Sequence, residues 1–159
     1  MENQVMADEK TTAVITTIVE SHGTSRSELI PILKAVMDEL GFISPEAIKQ
    51  LSARMQLPCS EIQSVATFYR MLSTQPRGKH VIQFCESAPC HVVGGRQILE
   101  ALKKALDIEP GETTPDNRWT FLTTSCLGVC GIGPVMLVDT DLYGNLEPKQ
   151  IPHILSRYD

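Results

Sequence analysis

The chemistry this sequence can offer is carried by four cysteines, Cys85, Cys90, Cys126 and Cys130. They come as two pairs, Cys85-Glu-Ser-Ala-Pro-Cys90 and Cys126-Leu-Gly-Val-Cys130, with 35 residues between the pairs. Thiolates are soft ligands, suited to zinc, copper(I) and iron–sulfur clusters. Zinc modules favour short Cys-x2–4-Cys pairs, often within one compact finger or ribbon. A four-residue gap with a proline in it is long for a zinc knuckle. It suits a [2Fe–2S] cluster better, which takes four thiolates on two irons and occurs with an x4 spacing in plant-type ferredoxins. The spacing therefore predicts a [2Fe–2S] electron carrier. Two alternatives stay open on the residues alone. One is a structural zinc-binding interaction module, colourless and redox-silent. The other is a thiol–disulfide oxidoreductase, which wants Cys-x-x-Cys at a helix start, a spacing neither pair has.

Composition bounds what surrounds these cysteines. The chain has 159 residues, 42% of them hydrophobic, and a net charge of −5. That is enough apolar content for a packed core, in one domain or one domain with a smaller appendage. Residues 1–79 carry eight Lys and Arg against nine Asp and Glu, and residues 80–159 carry six against ten. The negative excess thus sits in the cysteine-bearing half, which argues against a nucleic-acid partner. The polar N-terminus lacks the apolar core of a signal peptide. No apolar stretch reaches the length of a membrane span, so no direct membrane insertion is expected. The expected location is cytoplasmic, where free thiols persist. Five cysteines, an odd number, fit poorly with a disulfide framework.

The elements that must hold the cysteines divide near residue 75. Residues 1–10 read as a flexible lead. Four short helices then follow, at 11–22, from Ser25 to Gly41, at 44–55 and at 60–71. Ser25 with Glu28 reads as a capping box, and Ser60 as the cap of the fourth helix. Leu29, Leu33, Val36 and Leu40 recur at helical spacing. Gly41 is a candidate C-cap, and Ser44-Pro45 is a favoured helix opening. Pro76-Arg77-Gly78 reads as the linker. The fifth cysteine, Cys59, stands alone beside Pro58 and reads as a partly buried thiol that ligates nothing.

Beyond the linker the period changes. Residues 80–84 form a β-rich run that enters Cys85 directly. A helix is expected over 92–106, with Ile98, Leu99, Leu102 and Leu106 on one face. Strands are expected at 119–123, leading into Cys126, at 135–139, and at 142–146 around a Tyr143-Gly144-Asn145 turn. A last helix covers 148–158. The order β-α-β-β-β-α allows a crossover between two parallel strands, then a hairpin and a covering helix, as in a thioredoxin-like α/β sandwich. Both cysteine pairs then follow the C-terminal end of a strand. If those two strands are neighbours, four sulfurs can converge on one sheet edge, where open α/β sheets commonly carry their sites. Gly128, Gly131 and Gly133 would let backbone N–H groups approach a bound group. Gly94 and Gly95 would let something bulky come close. Pro134 is left open between cis and trans. His91 reads as a non-ligand, because four cysteines make a Rieske-like site unnecessary. Gly131-Ile-Gly133 lacks the third glycine of a dinucleotide fingerprint, Met136 standing in its place.

Three stretches resemble a known family: Val65-Ala-Thr-Phe-Tyr69, Cys85-Glu-Ser-Ala-Pro-Cys-His91, and Ser125-Cys-Leu-Gly-Val-Cys130 followed by Gly133-Pro-Val-Met136. They are similar to the NuoE / 24 kDa subunit family of NADH dehydrogenase (complex I). That family includes the HndA, HydC and HoxE subunits of NAD(P)-linked hydrogenases and formate dehydrogenases. The resemblance covers most of the chain. It implies an α+β protein, with an N-terminal helical, partner-docking domain at 1–75 followed by a thioredoxin-like [2Fe–2S] ferredoxin domain at 76–159. It implies one cluster, held by Cys85, Cys90, Cys126 and Cys130, and no catalytic residue on this chain. FMN and NAD(P)H would sit on a flavin- and NAD(H)-binding, NuoF-like partner subunit, with further iron–sulfur subunits in the complex. The protein would then work as one subunit of an NAD(P)H-dependent oxidoreductase, which can be the cytoplasmic peripheral arm of a membrane complex.

Overall fold

A computed structural model describes residues 2–158, with side chains described over 11–158; Met1 and Asp159 lie outside the described residues. The chain forms two compact units, Met1–Pro76 and Arg77–Asp159. Among the described residues no helix is long and apolar enough to cross a membrane.

The first unit is helical. Helix α1 spans Glu2–His22, so the flexible lead expected at 1–10 is helix from Glu2 onwards, and α1 is not short. It stops at Gly23, whose left-handed φ of 84° lets its N–H reach the Val19 carbonyl at 2.8 Å. A 3-10 turn, Arg26–Glu28, leads into α2, Leu29–Leu40. The expected capping box does not form, because the Ser25 hydroxyl bonds Ser27 instead of a backbone amide. Gly41 does close α2 in the left-handed region. Helix α3, Pro45–Met55, starts as read: the Ser44 hydroxyl accepts from the Ala47 N–H at 3.1 Å. Helix α4, Cys59–Phe68, is capped by Pro58 rather than Ser60 and ends three residues early, because Tyr69 turns extended.

These helices share one core. Ile15, Ile18 and Val19 of α1 meet Ile32, Leu33 and Val36 of α2, Ile48, Leu51 and Met55 of α3, and Ile62 and Ala66 of α4. Apolar faces at helical spacing hold them together, since burying a large aliphatic side chain contributes about 1.5–3 kcal/mol. The Arg26–Glu61 ion pair at 2.6 Å is largely exposed on the arginine side and adds little.

The second unit is a four-stranded mixed sheet under helices. Strands β1 (His80–Cys85), β2 (Trp119–Thr124), β3 (Met136–Val138) and β4 (Asp141–Tyr143) stand in the order β2-β1-β3-β4. Strands β1 and β2 are parallel and in register from His80↔Trp119 to Cys85↔Thr124. A parallel pair needs a long crossover, and this one contains a short turn, α5 (Ala88–Cys90), and helix α6 (Arg96–Leu106). Strand β3 runs antiparallel to β1, and β4 to β3. The β3–β4 turn sits at Asp139-Thr140, with Asp139 at φ 53°, and β4 starts one residue earlier and ends at Tyr143, short of the strand expected at 142–146. Asp139 holds this corner by accepting from the Val81 N–H and pairing with His80 Nδ1 at 2.7 Å. The last helix is broken into 3-10 turns around a short α7, Ile151–Leu155. Gly133–Pro134 is cis.

Alternation builds the core. Ile82 and Phe84 of β1, Phe121 of β2, and Met136 and Val138 of β3 pack with Ile98, Leu102 and Leu106 of α6 and Ile151 and Ile154 of α7. The outer edge of β2 is covered by the chain's own connection. Gly111 N–H donates to the Phe121 carbonyl, Phe121 N–H to Glu112, and Thr114 N–H to Trp119. Thr113 bridges Thr120 antiparallel in the middle of this strip.

Candidate metal centre

The β1–β2 register decides where the cysteines fall. Cys85 ends β1 directly opposite Thr124, the last residue of β2, and two residues later the chain reaches Cys126. Cys85 N–H donates to the Val135 carbonyl at 3.2 Å, and Glu86 N–H to the Thr124 carbonyl at 3.1 Å. The first cysteine is thereby tied to both neighbouring segments. Ser87 is extended, and Pro89 lies in the first turn of α5, which ends in Cys90. The helix expected over 92–106 does not run through. Val93 and Gly94 leave helical geometry, Gly94 at φ 107°, and α6 begins only at Arg96.

Glycines permit two close approaches here. A Cβ on Gly95 would stand 2.7 Å from the Cys90 carbonyl oxygen, so its absence lets the kinked chain fold back on the Cys90 turn. A Cβ on Gly133 would stand 3.3 Å from Cys90 Sγ and 3.2 Å from Val93, so the second loop crosses the first at this point. In the second loop Cys126 and Cys130 sulfurs lie 3.8 Å apart, and Gly128 N–H donates to Cys126 Sγ at 3.3 Å. Cys130 opens a 3-10 turn, Cys130–Ile132.

The two pairs differ in environment. Cys85 and Cys90 are buried with Val135, against Leu127 and Val129, while Cys126 and Cys130 are exposed. Burial by itself would raise the Cys85 thiol. Hydrogen bonds from the Ser87 amide, the Cys90 thiol, the Leu127 amide and the Ser87 hydroxyl outweigh it and hold Cys85 below the ordinary thiol value. Cys90 is pushed up, by burial first and then by its bond to Cys85 and the charges of Cys85 and Cys130. Cys130 is pushed up by its bond to Cys126, then by the charge of Cys126, with a smaller part from Cys85. Like charges resist accumulation on such a set unless a cation joins them.

All five cysteines are free thiols. Among the described residues no group of three or more His, Cys, Asp or Glu side chains is gathered to hold a single metal ion. The sulfurs instead come as two pairs, one buried and one exposed, and each pair senses the charge of the other. That donor set fits a two-iron, two-sulfide group, which distributes four thiolates over two irons. Cys59 lies in the first unit and is exposed, not partly buried as read from the sequence. His91 is exposed and lines a hollow of about 270 Å³ with Phe84, Cys85, Glu86 and Arg96. Sequence reasoning missed Ser87, Leu127 and Val135 as hydrogen-bond partners of the sulfurs. For Ser87 a signal existed, because a serine two residues after a cysteine can fold its hydroxyl back. For the amides none did.

The sequence pattern of the thioredoxin-like [2Fe–2S] ferredoxins matches residues 15–159. The E-type subunit of NADH-quinone oxidoreductase from Escherichia coli (strain K12) is 43% identical over 133 residues, covering 84% of this chain and 80% of that protein. Its counterpart in the NADH-quinone oxidoreductase of Aquifex aeolicus (strain VF5) is 35% identical over 133 residues, covering 84% of this chain and 83% of that protein. Among solved structures, an NAD+-reducing [NiFe]-hydrogenase in the air-oxidized state superposes with a TM-score of 0.70 at 25% identity over 82% of this chain. This chain spans 22% of the hydrogenase chain it matches.

Proposed function

The chain belongs to the thioredoxin-like [2Fe–2S] ferredoxin family and carries one [2Fe–2S] cluster, and from that premise we propose that Cys85, Cys90, Cys126 and Cys130 hold it in an electron-transfer subunit of an NAD(P)H-dependent oxidoreductase. The observation that carries this reading is the register of β1 and β2, which sends both cysteine loops off one sheet edge. When bound, the cluster accepts and returns one electron at a time. The protein's part is to fix the two pairs, to bury the inner one, and to leave Cys126 and Cys130 at the surface facing an exchange partner.

That partner is a NuoF-like subunit whose FMN takes hydride from NAD(P)H and passes electrons singly. Its parent complex is an NADH dehydrogenase or an NAD(P)-linked hydrogenase or formate dehydrogenase, electron-bifurcating ones included. Exposed Val92, Val93 and Ile132 beside the cysteine loops support a protein contact there. Exposed Phe68, Tyr69 and Met71 at the end of α4 support a docking role for the helical unit.

The test is anaerobic purification, iron and acid-labile sulfide analysis, and visible spectra before and after dithionite. Two irons and two sulfides per chain, with absorption that bleaches on reduction, are expected. A colourless protein holding one zinc overturns the reading. Co-purification with the flavin-bearing partner tests the second part: removing residues 1–76 should spare the cluster and weaken the association, and unchanged association would remove the docking role.

A further inference from the structure

The two cysteine pairs differ in what can reach them from solution. Cys126 and Cys130 are exposed, and their sulfurs share a hydrogen bond at 3.8 Å. Cys85 and Cys90 are 1% and 0% exposed. A Cβ on Gly133 would stand 3.3 Å from Cys90 Sγ and 3.2 Å from Val93 Cγ2, so the second loop and the Val93 side chain lie close over the inner sulfur. Cys59 is exposed but belongs to the first unit.

Contact between Cys126 and Cys130 serves two chemistries. It suits two thiolates on one iron, and it also places two sulfurs where a short approach, to about 2.0 Å, makes a disulfide. The loop that joins them has room for that approach. Gly128 stands at φ 82° with nothing within 4 Å of its Cβ position, and the Gly131 position is equally open. Thiol–disulfide exchange depends on access to the attacking sulfur and runs through a mixed disulfide. A second thiol in contact with the first is what resolves that intermediate. Disulfides that form inside cells are mostly transient and redox-sensing.

Resting on the cluster assignment above, we propose that Cys126 and Cys130 form a thiol–disulfide switch: before a cluster is loaded, the pair exchanges with a low-molecular-weight disulfide and closes into an internal disulfide, which blocks loading until it is reduced. One exposed thiolate attacks the small disulfide, forming a mixed disulfide and expelling one thiolate. The other cysteine attacks the protein-side sulfur of that bond and expels the second. The protein gives up two electrons and two thiol protons, and the small disulfide takes them and leaves as two thiols. Cys85 and Cys90 stay reduced because the reagent cannot reach them. A bound cluster stops the exchange by holding both outer sulfurs on iron.

The experiment starts from the purified full chain, with iron and acid-labile sulfide measured. The cluster is stripped with an iron chelator under anaerobic conditions, the chelator is removed, and oxidised glutathione is added. Remaining thiols are alkylated in denaturant and the peptides mapped by mass. One internal disulfide, Cys126–Cys130, is expected, with Cys85 and Cys90 alkylated. Transfer of a preformed [2Fe–2S] cluster from a scaffold protein, without added thiol or sulfide, should be lost after the glutathione treatment and return with dithiothreitol. In the stripped chain Cys130→Ser should stop at a stable glutathione adduct on Cys126. The cluster-loaded chain under the same reagent should keep all four cysteines free of disulfide. A Cys85–Cys90 disulfide, a bond from either outer sulfur to Cys59, glutathione retained on Cys126 or Cys130 of the parent, or loading unimpaired by the oxidised pair overturns the proposal. A purified chain without iron and sulfide, and unable to accept a cluster even when fully reduced, would instead sink the cluster assignment, so the two failures are distinguishable.

Discussion

Gly95→Ala tests whether the kink before α6 is what seats Cys90. Gly95 has φ −55° and ψ −32°, ordinary helical values, so backbone freedom gives no reason for glycine. Helix propensity alone favours alanine there by about 0.5–1 kcal/mol. The new Cβ, however, would lie 2.7 Å from the Cys90 carbonyl oxygen and 3.0 Å from its carbon, with Phe84 3.6 Å away. The obstruction is backbone and cannot swing aside, and such overpacking costs about 1–3 kcal/mol. The steric cost exceeds the gain over most of these ranges, for a net loss of up to about 2.5 kcal/mol. A unit the size of Arg77–Asp159 should lose about 4–8 °C of Tm per kcal/mol. Thermal unfolding followed by far-ultraviolet circular dichroism reads the stability. Bleaching in the presence of an iron chelator reads the site, and should be faster because the displaced carbonyl belongs to Cys90. Gly131→Ala is the control inside the other loop. Nothing lies within 4 Å of its Cβ position and its φ is not positive, so it should be neutral or gain about 0.4–1 kcal/mol. A Gly95→Ala protein as stable and as slow to bleach as the parent, or a Gly131→Ala protein equally damaged, would refute the steric account.

Replacing any one of Cys85, Cys90, Cys126 or Cys130 by Ala should lose or degrade the cluster, while Cys59→Ala leaves iron and sulfide content unchanged; a cluster abolished by Cys59→Ala would contradict the ligand assignment. Ser44→Ala removes the hydroxyl that accepts from Ala47 N–H and should cost about 1 kcal/mol by chemical denaturation of the helical unit, with cluster content unaffected. Tyr158 is held above its ordinary value of 10.0, by burial first and then by its hydrogen bonds to Tyr143 and Asp141. Because the folded state keeps this proton after the unfolded chain has lost it, stability contributed by Tyr158 is full below about pH 10 and declines as pH rises further. Stability-versus-pH curves of parent and Tyr158→Phe should converge above that value, and parallel curves would count against the assignment.

The cysteine spacing and the strand preceding each pair were legible because they are local: type, spacing and a period of two. Helix interiors with strong apolar faces were legible for the same reason. What the sequence concealed depends on partners far along the chain. Ser25 and Ser60 look like caps, but Ser25 bonds Ser27, and Pro58 takes the cap position of α4. Gly78 reads as a linker glycine, yet a Cβ there would meet the Trp119 backbone at 2.8 Å, so it serves close approach inside the second unit. Gly144 reads as a turn residue, whereas it makes room for Ile132, whose side chain would lie 2.6 Å from a Cβ. The break before α6 was half-visible in Gly94-Gly95, but the reason for it, the Cys90 carbonyl, is five residues back in a different turn.

The strip along the outer edge of β2 bears on how this protein behaves when it is alone. An open strand edge invites another chain to add a strand, which is a route to misassembly as well as to recognition. Here the chain's own residues 111–114 already occupy that edge, and the opposite edge, β4, is only three residues long. A newly made copy awaiting its complex therefore offers neighbours little template for cross-chain sheet growth. Assembly must select the correct partner through side chains and loops, which can be specific, rather than through main-chain pairing, which is indifferent to sequence.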